Sequence, residues 1–367
     1  MATPLKYMYD AEMVGRLAEA LRAAEPRFKP SPFLRDVFRP PWDQRELKAR
    51  MRHISTRVAM HLPGAYHRQL AVLEAVAPGF RGFTAMLFPD FVEVFGLDDY
   101  AASVRALEQF TRFSSSEFAV RPFILRYERQ MMSQMRRWAR HDDAHVRRLA
   151  SEGCRPRLPW AIALPRFKAD PTPVLPILEV LKADASDYVR RSVANNLNDI
   201  AKDHPGITLA TARRWYGRHP ATNALVKHAC RTLLKRGDPK ALALFGYARN
   251  VEADIEALTP VRARVRIGEV LPFSFVVAQP TPTTVKLRVE YIVYFQRPRG
   301  GVSKKVFQVG GHELAPGRHV FTKRHAFRDL STRRHHPGAH RIAIAVNGVE
   351  KASISISLVS RRTPPRL

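Results

Sequence analysis

Apolar residues recur at helical spacing through the first two thirds of the chain. After Asp10, which suits a helix N-cap, Met13, Leu17 and Leu21 fall on one face of a predicted helix. Two further helices are predicted over residues 45–62 and 67–76. The aromatic-rich segment from 79 to 100 is broken by glycines and a proline, and it predicts short helices and loops.

Three of the predicted helices resemble one another. They cover residues 143–153, 187–197 and 223–233. Their anchor residues Val146, Val189 and Val226 are 43 and 37 positions apart. A period near 40 with paired helices is typical of HEAT repeats, whose helix pairs bury their apolar faces only by stacking. The sequence therefore predicts a mainly α protein that begins as a HEAT-like helical-repeat solenoid.

Beyond residue 258 the pattern changes to an alternation of apolar and polar positions. Strands are predicted over residues 261–267, 273–277, 285–295, 304–310, 340–348 and 352–359. This number of short strands in about 100 residues predicts a C-terminal all-β, immunoglobulin-like sandwich. We therefore expect two domains, a solenoid over residues 1–258 and a sandwich over residues 259–367.

The net positive charge of the chain indicates what kind of molecule it binds. The chain carries 61 Lys and Arg against 33 Asp and Glu, a formal net charge of +28. A polyanion is the natural partner for this excess, with nucleic acid expected before an anionic membrane surface. No segment is apolar for long enough to span a bilayer. The two cysteines, without a Cys-x-x-Cys motif, are typical of a reducing cytoplasm.

The basic residues form two predicted DNA-binding groups. On the repeats, the candidates are Arg147, Arg148, Arg155, Arg157, Arg190, Arg191 and Lys202; in the sandwich they are Arg333, Arg334, His335 and His336. Val-Arg-Arg at repeat spacing predicts a basic concave groove, although a solvated helix face is the alternative. Arg155 and Arg157 either bind phosphate or clamp neighbouring loops. The histidine spacing fits no standard metal site, so we expect no metal.

Three acids and a tryptophan stand out against this basic background. Glu117 follows three serines, and the alternative to a chemical role is favourable placement at a helix N-terminus. For Glu152 the alternative is a salt bridge to Arg148 or Arg155. For Asp199 it is helix-end polarity or an interhelical bond. Trp160 either packs in the core or stacks on a base or sugar.

Several motifs resemble those of the AlkC-type DNA alkylation-repair glycosylases, relatives of the AlkD group of HEAT-like enzymes. They are PLKYMYDAEMV, FSSSEFAVRPFI, ASEGCRPRLPW, SVANNLNDIAKDHP and, in the tail, RRHHPGAHRIAIAVNG. The resemblance covers essentially the whole chain. It implies a HEAT-like domain followed by an Ig-like domain, and excision of cationic bases such as N3-methyladenine and N3-methylcytosine from double-stranded DNA.

The resemblance also implies roles for individual residues. It makes Glu117, Glu152, Trp160 and Asp199 the active-site candidates. We expect Asp199 and Glu152 to position water and stabilise a cationic sugar, Glu117 to stabilise the cationic base or sugar, and Trp160 to pack against the lesion. A monofunctional, monomeric, cofactor-free enzyme of the bacterial cytoplasm is expected. The resemblance further implies attack from the backbone side while the duplex is bent. The alternatives are a non-catalytic protein that recognises damaged or bent DNA, and a protein-binding solenoid.

Overall fold

The structure is a computed structural model that describes residues 4–248, 250–330 and 333–360. It divides into two compact units, which meet in the sequence between Ala229 and Cys230. The α-helices of the first unit are α1 Ala11–Ala24, α2 Pro30–Phe38, α3 Leu47–His61, α4 Tyr66–Val76, α5 Leu87–Phe95, α6 Tyr100–Phe110, α7 Val120–Arg126, α8 Glu128–Trp138, α9 Ala144–Gly153, α10 Pro165–Ala169, α11 Leu175–Leu181, α12 Asp187–Ile200, α13 Pro205–Trp215 and α14 Pro220–Ala229. Short 3-10 helices lie at Leu5–Met8, Trp42–Gln44, Ala77–Gly79 and Gly82–Met86.

The N-terminal helices follow the predicted pattern. The Asp10 side chain accepts a hydrogen bond from the Met13 amide at 2.8 Å, which caps α1. Val14, Leu17 and Leu21 of α1 are fully buried, and this face packs against α2 and α4. Within the described ranges, no helix has the length and apolarity needed to cross a membrane.

The repeat prediction is confirmed by a stack of helices in which α12 lies between α9 and α14. Helices α8 and α11 pack against α9, and α13 packs against α12 and α14. One boundary was wrong. The third predicted segment, 223–233, is divided because α14 ends at Ala229 and a new helix begins at Arg231.

Polar side chains join α9 to α12 at the centre of this stack. Ser151 Oγ and Ser192 Oγ lie 2.5 Å apart, and the Asn196 amide nitrogen donates to the Ser151 carbonyl at 2.7 Å. Asparagine has a poor helix propensity, but here it satisfies a buried carbonyl. These contacts fix the separation of α9, which carries Glu152, and α12, which carries Asp199.

The second unit is a β-sandwich preceded by helices α15 Arg231–Arg236 and α16 Pro239–Leu244. Its strands are β1 Asp254–Pro260, β2 Arg264–Arg266, β3 Val270–Gln279, β4 Val285–Gln296, β5 Val302–Leu314, β6 Gly317–Ala326, β7 Gly338–Val346 and β8 Val349–Val359. One sheet has the order β1-β3-β6 and the other β2-β8-β7-β4-β5, with only the β2–β8 pair parallel. Phe273, Phe275, Val289, Val293 and Ile344 are among the residues packed between them. The predicted sandwich is confirmed, but strands β1 and β6 were not predicted.

Candidate active site

A cavity of about 420 Å³ lies in the first unit. Its wall combines the acids Glu117 and Glu152, the cations Lys48, Arg148 and Arg155, and the aromatic residues Tyr9, Phe83, Trp160 and Tyr188. The fold thus brings together three of the four predicted active-site residues. Asp199, the fourth, is not among the described residues that line the cavity.

Glu152 is held in the last turn of α9 by three partners. Its Oε1 accepts a hydrogen bond from Arg155 Nη1 at 2.6 Å and lies 3.7 Å from Arg148 Nη2. Its Oε2 accepts from Ser192 Oγ at 2.6 Å. Glu152 is 4% exposed and borders the cavity. The salt bridges that the sequence offered as the alternative therefore exist, and they hold an acid at the cavity wall.

Glu117 precedes α7 and faces the same arginine. Its Oε2 accepts hydrogen bonds from Arg148 Nη1 and Ser115 Oγ, both at 2.5 Å. The Arg148 guanidinium also lies over the Tyr188 ring, 4.6 Å from its centroid, in a cation–π contact. Burial lowers the pKa of Arg148, but attraction to Glu117 and Glu152 outweighs burial and raises its pKa overall. Arg148 therefore remains a cation between the two acids.

Asp199 lies behind the cavity wall, in the last turn of α12, and is 2% exposed. Its Oδ2 accepts from Arg155 Nε at 2.8 Å, and its Oδ1 accepts from Lys202 Nζ at 2.8 Å. Arg155 consequently bridges Asp199 to Glu152. Burial lowers the pKa of Arg155, yet these two carboxylates raise its pKa overall. The predicted clamping alternative describes Arg155 better than phosphate contact does.

Trp160 projects from the loop that follows α9. Its side chain lines the cavity and the residue is 60% exposed, so the core-packing alternative is wrong. Its φ of 65° lies in the left-handed region, which is uncommon for a residue with a side chain. Lys48 Nζ donates a hydrogen bond to the Trp160 carbonyl and holds this conformation from α3. The indole is thus presented at the cavity by the surrounding structure.

Arg121 was missed by the sequence analysis. It is fully buried, and its guanidinium donates to the carbonyls of Gly153 at 3.0 Å, Arg155 at 2.8 Å and Ile162 at 2.5 Å. These carbonyls flank both sides of the loop that carries Trp160. Burial lowers the pKa of Arg121 to about 10. Arg121 lies within the FSSSEFAVRPFI motif, but sequence alone does not show that it points inward.

The first arginine of each Val-Arg-Arg motif is used within the repeats. Arg147 Nε donates to Asp184 Oδ2 at 2.6 Å, and Arg190 Nη1 donates to the Asp184 carbonyl at 2.6 Å. The second arginines differ, because Arg148 lines the cavity and Arg191 is exposed while paired with Asp187 at 3.0 Å. The repeat pattern therefore includes one structural position and one position that faces cavity or solvent.

Arg157 and Lys202 also have acidic partners. Arg157 Nη2 donates to Asp203 Oδ1 at 3.0 Å, which joins the Trp160 loop to the turn after α12. Lys202, as described above, holds Asp199. Both side chains are about one third exposed, at 33% and 37%. Their cationic heads are accessible from solvent, although each is already paired.

The predicted basic cluster of the sandwich is partly interior. His335 is 7% exposed and its Nδ1 lies 3.2 Å from Asp329 Oδ1. Arg333 stacks over the Phe295 ring at 4.5 Å, whereas Arg334 is exposed and His336 is half-buried. Residues 331 and 332 of this run lie outside the described residues. Among those described, no group of three or more His, Cys, Asp and Glu side chains could hold a metal ion.

Comparison with known proteins defines the class to which this fold and site belong. Residues 254–360 match the family described as "Uncharacterised protein YhaZ, C-terminal Ig-like domain". The whole chain is 43% identical over 355 residues to the uncharacterised protein YhaZ of Bacillus subtilis strain 168, covering 96% of this chain and 99% of that protein.

A solved structure agrees over both units. It is the alkylpurine DNA glycosylase AlkC of Pseudomonas fluorescens, bound to DNA containing an abasic site analogue. It is 36% identical to this chain, covers 97% of it and 100% of the AlkC chain, and superposes with a TM-score of 0.93. The chain belongs to the AlkC-type family, which also includes YhaZ, and its sandwich is the Ig-like domain of that family.

Proposed function

We propose that the protein is a DNA N-glycosylase that releases cationic alkylated bases from double-stranded DNA. The proposal rests on two carboxylates, those of Glu117 and Glu152, which are each ion-paired with an arginine and line the cavity of an AlkC-type fold beside Trp160. A protein that only binds DNA gains nothing from acids in a basic groove, because they repel phosphate. Acids are useful where positive charge develops in a sugar or base.

The chemistry requires little acid catalysis. A base alkylated at a ring nitrogen, such as N3-methyladenine or N3-methylcytosine, carries a positive charge and leaves with the bonding electrons of the glycosidic bond. Water then adds to C1′ and loses a proton, and the products are a neutral base and an abasic sugar. We assign two roles to Glu152, stabilising the oxocarbenium-like sugar and positioning the attacking water. Carboxylates have these roles in glycoside hydrolysis.

The remaining groups of the cavity complete this assignment. Glu117, which contacts the same Arg148 guanidinium as Glu152, stabilises the cationic base or sugar, and Trp160 packs against the lesion with a cation–π contribution. Asp199 takes a different role from the predicted one. Asp199 is buried and does not line the cavity, whereas Glu152 does, so we propose that Asp199 positions Glu152 through Arg155 instead of holding the water itself.

The DNA is held by phosphate contacts from cations that remain accessible, including Arg191 and Arg334. His335, although predicted to bind DNA, is not part of this surface, because its side chain is buried. We also propose that the enzyme attacks from the backbone side of a bent duplex, as the family resemblance implies. We further propose a monofunctional monomer that uses no cofactor or metal and acts on the bacterial nucleoid in the cytoplasm.

Release of free base from N-methylated duplex DNA, resolved by chromatography, tests the proposal. The wild type is expected to release N3-methyladenine, and Glu152→Gln is expected to do so roughly 10²–10³ times more slowly, as for other electrostatic stabilisers. Glu19→Gln is the matched control, because Glu19 is an exposed acid of α1. Strands should stay intact, and borohydride should trap no covalent complex, if the enzyme is monofunctional.

The second candidate is a non-catalytic protein that recognises alkylated or bent DNA. The cationic surface supports it as well as it supports an enzyme. Tight binding of alkylated duplex without release of base by the wild type would establish this alternative and refute the glycosylase proposal. Binding of DNA that barely depends on salt would instead indicate the protein-binding solenoid, because phosphate contacts impose a steep dependence.

A further inference from the structure

The sandwich carries an arginine row at the edge of its five-stranded sheet. Arg262, Arg264 and Arg266 alternate with smaller or apolar residues, and all three arginines are exposed. Val265 between them is 1% exposed and belongs to the sandwich core. Strand β2 therefore has one apolar side that anchors it and one side that presents guanidinium groups to solvent.

The row is poor in acidic partners. Arg262 lies 3.1 Å and Arg266 3.9 Å from the same residue, Glu269. Within the described part of the chain, no hydrogen bond or ion pair is made by the Arg264 guanidinium. Two of the three cations thus share a single carboxylate, and Arg264 has no acidic partner among the described residues. They border a depression of about 370 Å³, which Glu269 and Val359 complete.

This exposure contrasts with the basic run that the sequence made most prominent. In that run His335 and His340 are buried and Arg333 covers Phe295, so part of its polar surface is used in the fold. In the arginine row, Arg262 precedes β2 and its Nη2 donates to the Val270 carbonyl at 3.1 Å, whereas Arg264 and Arg266 lie on β2 with exposed side chains. Cations held at an exposed sheet edge with few acids beside them repel one another, and an anionic partner relieves that repulsion.

The spacing indicates which polyanion fits. Alternate residues of a strand lie about 6.6 Å apart, twice the rise of about 3.3 Å per residue. This separation of Arg264 and Arg266 is close to that of successive phosphates along one nucleic-acid strand. Guanidinium groups also suit phosphate better than ammonium groups do, because they bind its oxygens in pairs.

We propose that Arg262, Arg264 and Arg266 form a binding site for successive phosphates of one strand of the DNA duplex. The identity of the duplex as the partner rests on the proposed function, whereas the phosphate chemistry rests on the row itself. The site contributes affinity that is independent of base sequence and of the lesion. It is proposed as an affinity site only, because none of the three arginines is among the residues that line the cavity with Glu117 and Glu152.

The test is the salt dependence of binding to undamaged duplex, measured by fluorescence anisotropy with the full chain. A triple variant, Arg262→Gln, Arg264→Gln and Arg266→Gln, is compared with a control, Arg297→Gln, Arg299→Gln and Arg318→Gln. The control removes the same charge from other exposed positions of the sandwich. Thermal unfolding of each protein shows that the substitutions leave the fold intact.

The triple variant should reduce the slope of log Kd against log salt by about 2 to 3, since each phosphate contact contributes roughly 0.9. The control should change the slope by less than one contact. An unchanged slope in the triple variant, or an equal reduction in both proteins, would overturn the proposal. Competition by single-stranded RNA that equals competition by duplex DNA would also overturn the assignment to a duplex.

Base release separates this inference from the proposed function. With enzyme in saturating excess over methylated duplex, the triple variant should release base at the wild-type rate, because saturation compensates for weaker binding. If the wild type releases no base while the slopes still differ, the glycosylase proposal fails and the phosphate site stands. If base is released and the slopes do not differ, the phosphate site fails alone.

Discussion

Replacement of Arg121 by methionine is the sharpest test of how the fold positions the cavity residues. The substitution keeps most of the side-chain length and removes the guanidinium that holds the carbonyls of Gly153, Arg155 and Ile162. Three carbonyls, two of them in buried hydrogen bonds, would lose a charged donor at once. No water can easily replace it at a site that is fully buried.

The size of the effect follows from these three bonds. A hydrogen bond contributes about 1 kcal/mol net, and a buried carbonyl left without a donor costs about 1–3 kcal/mol. Three such carbonyls give an upper limit of about 3–9 kcal/mol for the loss. The net loss is smaller, because the variant no longer buries a guanidinium that has no directly bonded carboxylate. A domain is stable by only about 5–15 kcal/mol, so this is a large fraction.

The effect on rate should exceed the effect on DNA affinity. The loop anchored by Arg121 runs from the end of α9, which carries Glu152, to the exposed Trp160. A displacement of about 1 Å in groups that must meet the substrate together costs about 10²-fold in rate. Phosphate contacts made elsewhere on the chain are unaffected, so the Kd for undamaged duplex should change by less than about threefold.

Two assays on the same protein decide the matter. Urea denaturation gives the change in the free energy of unfolding, and single-turnover base release at saturating enzyme gives the rate. Arg121→Lys retains the charge but reaches fewer carbonyls, so it should be intermediate in both. Arg105→Met serves as the control, since Arg105 is an exposed residue 3.8 Å from Glu74. A methionine variant with wild-type stability and a rate within twofold of wild type would refute the reasoning.

Three further predictions concern stability and reactivity. A Cβ at Gly153 would lie 2.7 Å from a methyl carbon of Val120, so Gly153→Ala should destabilise the protein by about 1–3 kcal/mol. A Cβ at Gly15 meets nothing within 4 Å, so Gly15→Ala should stabilise the protein by about 0.5–1 kcal/mol. Urea denaturation measures both changes. Burial lowers the pKa of His325 from 6.5 to about 4, so folding favours its neutral form. The free energy of unfolding should therefore be highest above pH 6.5 and fall by about 3 kcal/mol towards pH 4. The substitution His325→Phe should remove much of that fall. Burial raises the pKa of the Cys154 thiol to about 12, so it should react with thiol reagents only after unfolding, and rapid labelling of the native protein would contradict its burial.

The sequence was sufficient to predict the two kinds of architecture. Helical periodicity and the spacing of Val146, Val189 and Val226 predicted the stack of α9, α12 and α14, and alternation predicted most strands of the sandwich. Strand β6 was missed because its sequence, GRHVFTKRHA, is mostly polar and its outward residues are exposed. Strand β1 was missed because it begins at Asp254, among residues that continue the composition of the preceding helices.

The candidate site could be predicted only in part. Glu117, Glu152 and Trp160 could be predicted because they lie in motifs shared with the AlkC-type family, and the fold brings these motifs, which are distant in sequence, to one cavity. The partner of each acid could not be predicted, since pairing depends on the rotation of each helix and on the loop after α9. Asp199 shows the difference, because its motif suggested contact with the substrate, whereas α12 turns its carboxylate towards Arg155 and Lys202. The inward direction of the Arg121 side chain likewise depends on the rotation of its helix and could not be predicted from the sequence.

The pairing of the acids has a consequence for the proposed chemistry. Each of Glu117, Glu152 and Asp199 contacts an arginine or lysine, so the free cavity is not an open negative site that would attract any cation. A lesion nucleotide carries a cationic base and an anionic phosphate, and it can enter without changing the local charge balance. During bond cleavage the positive charge moves from the base to the sugar. Carboxylates already fixed by Arg148 and Arg155 can stabilise that displaced charge without reorganising, which is the condition under which electrostatic stabilisation is most effective.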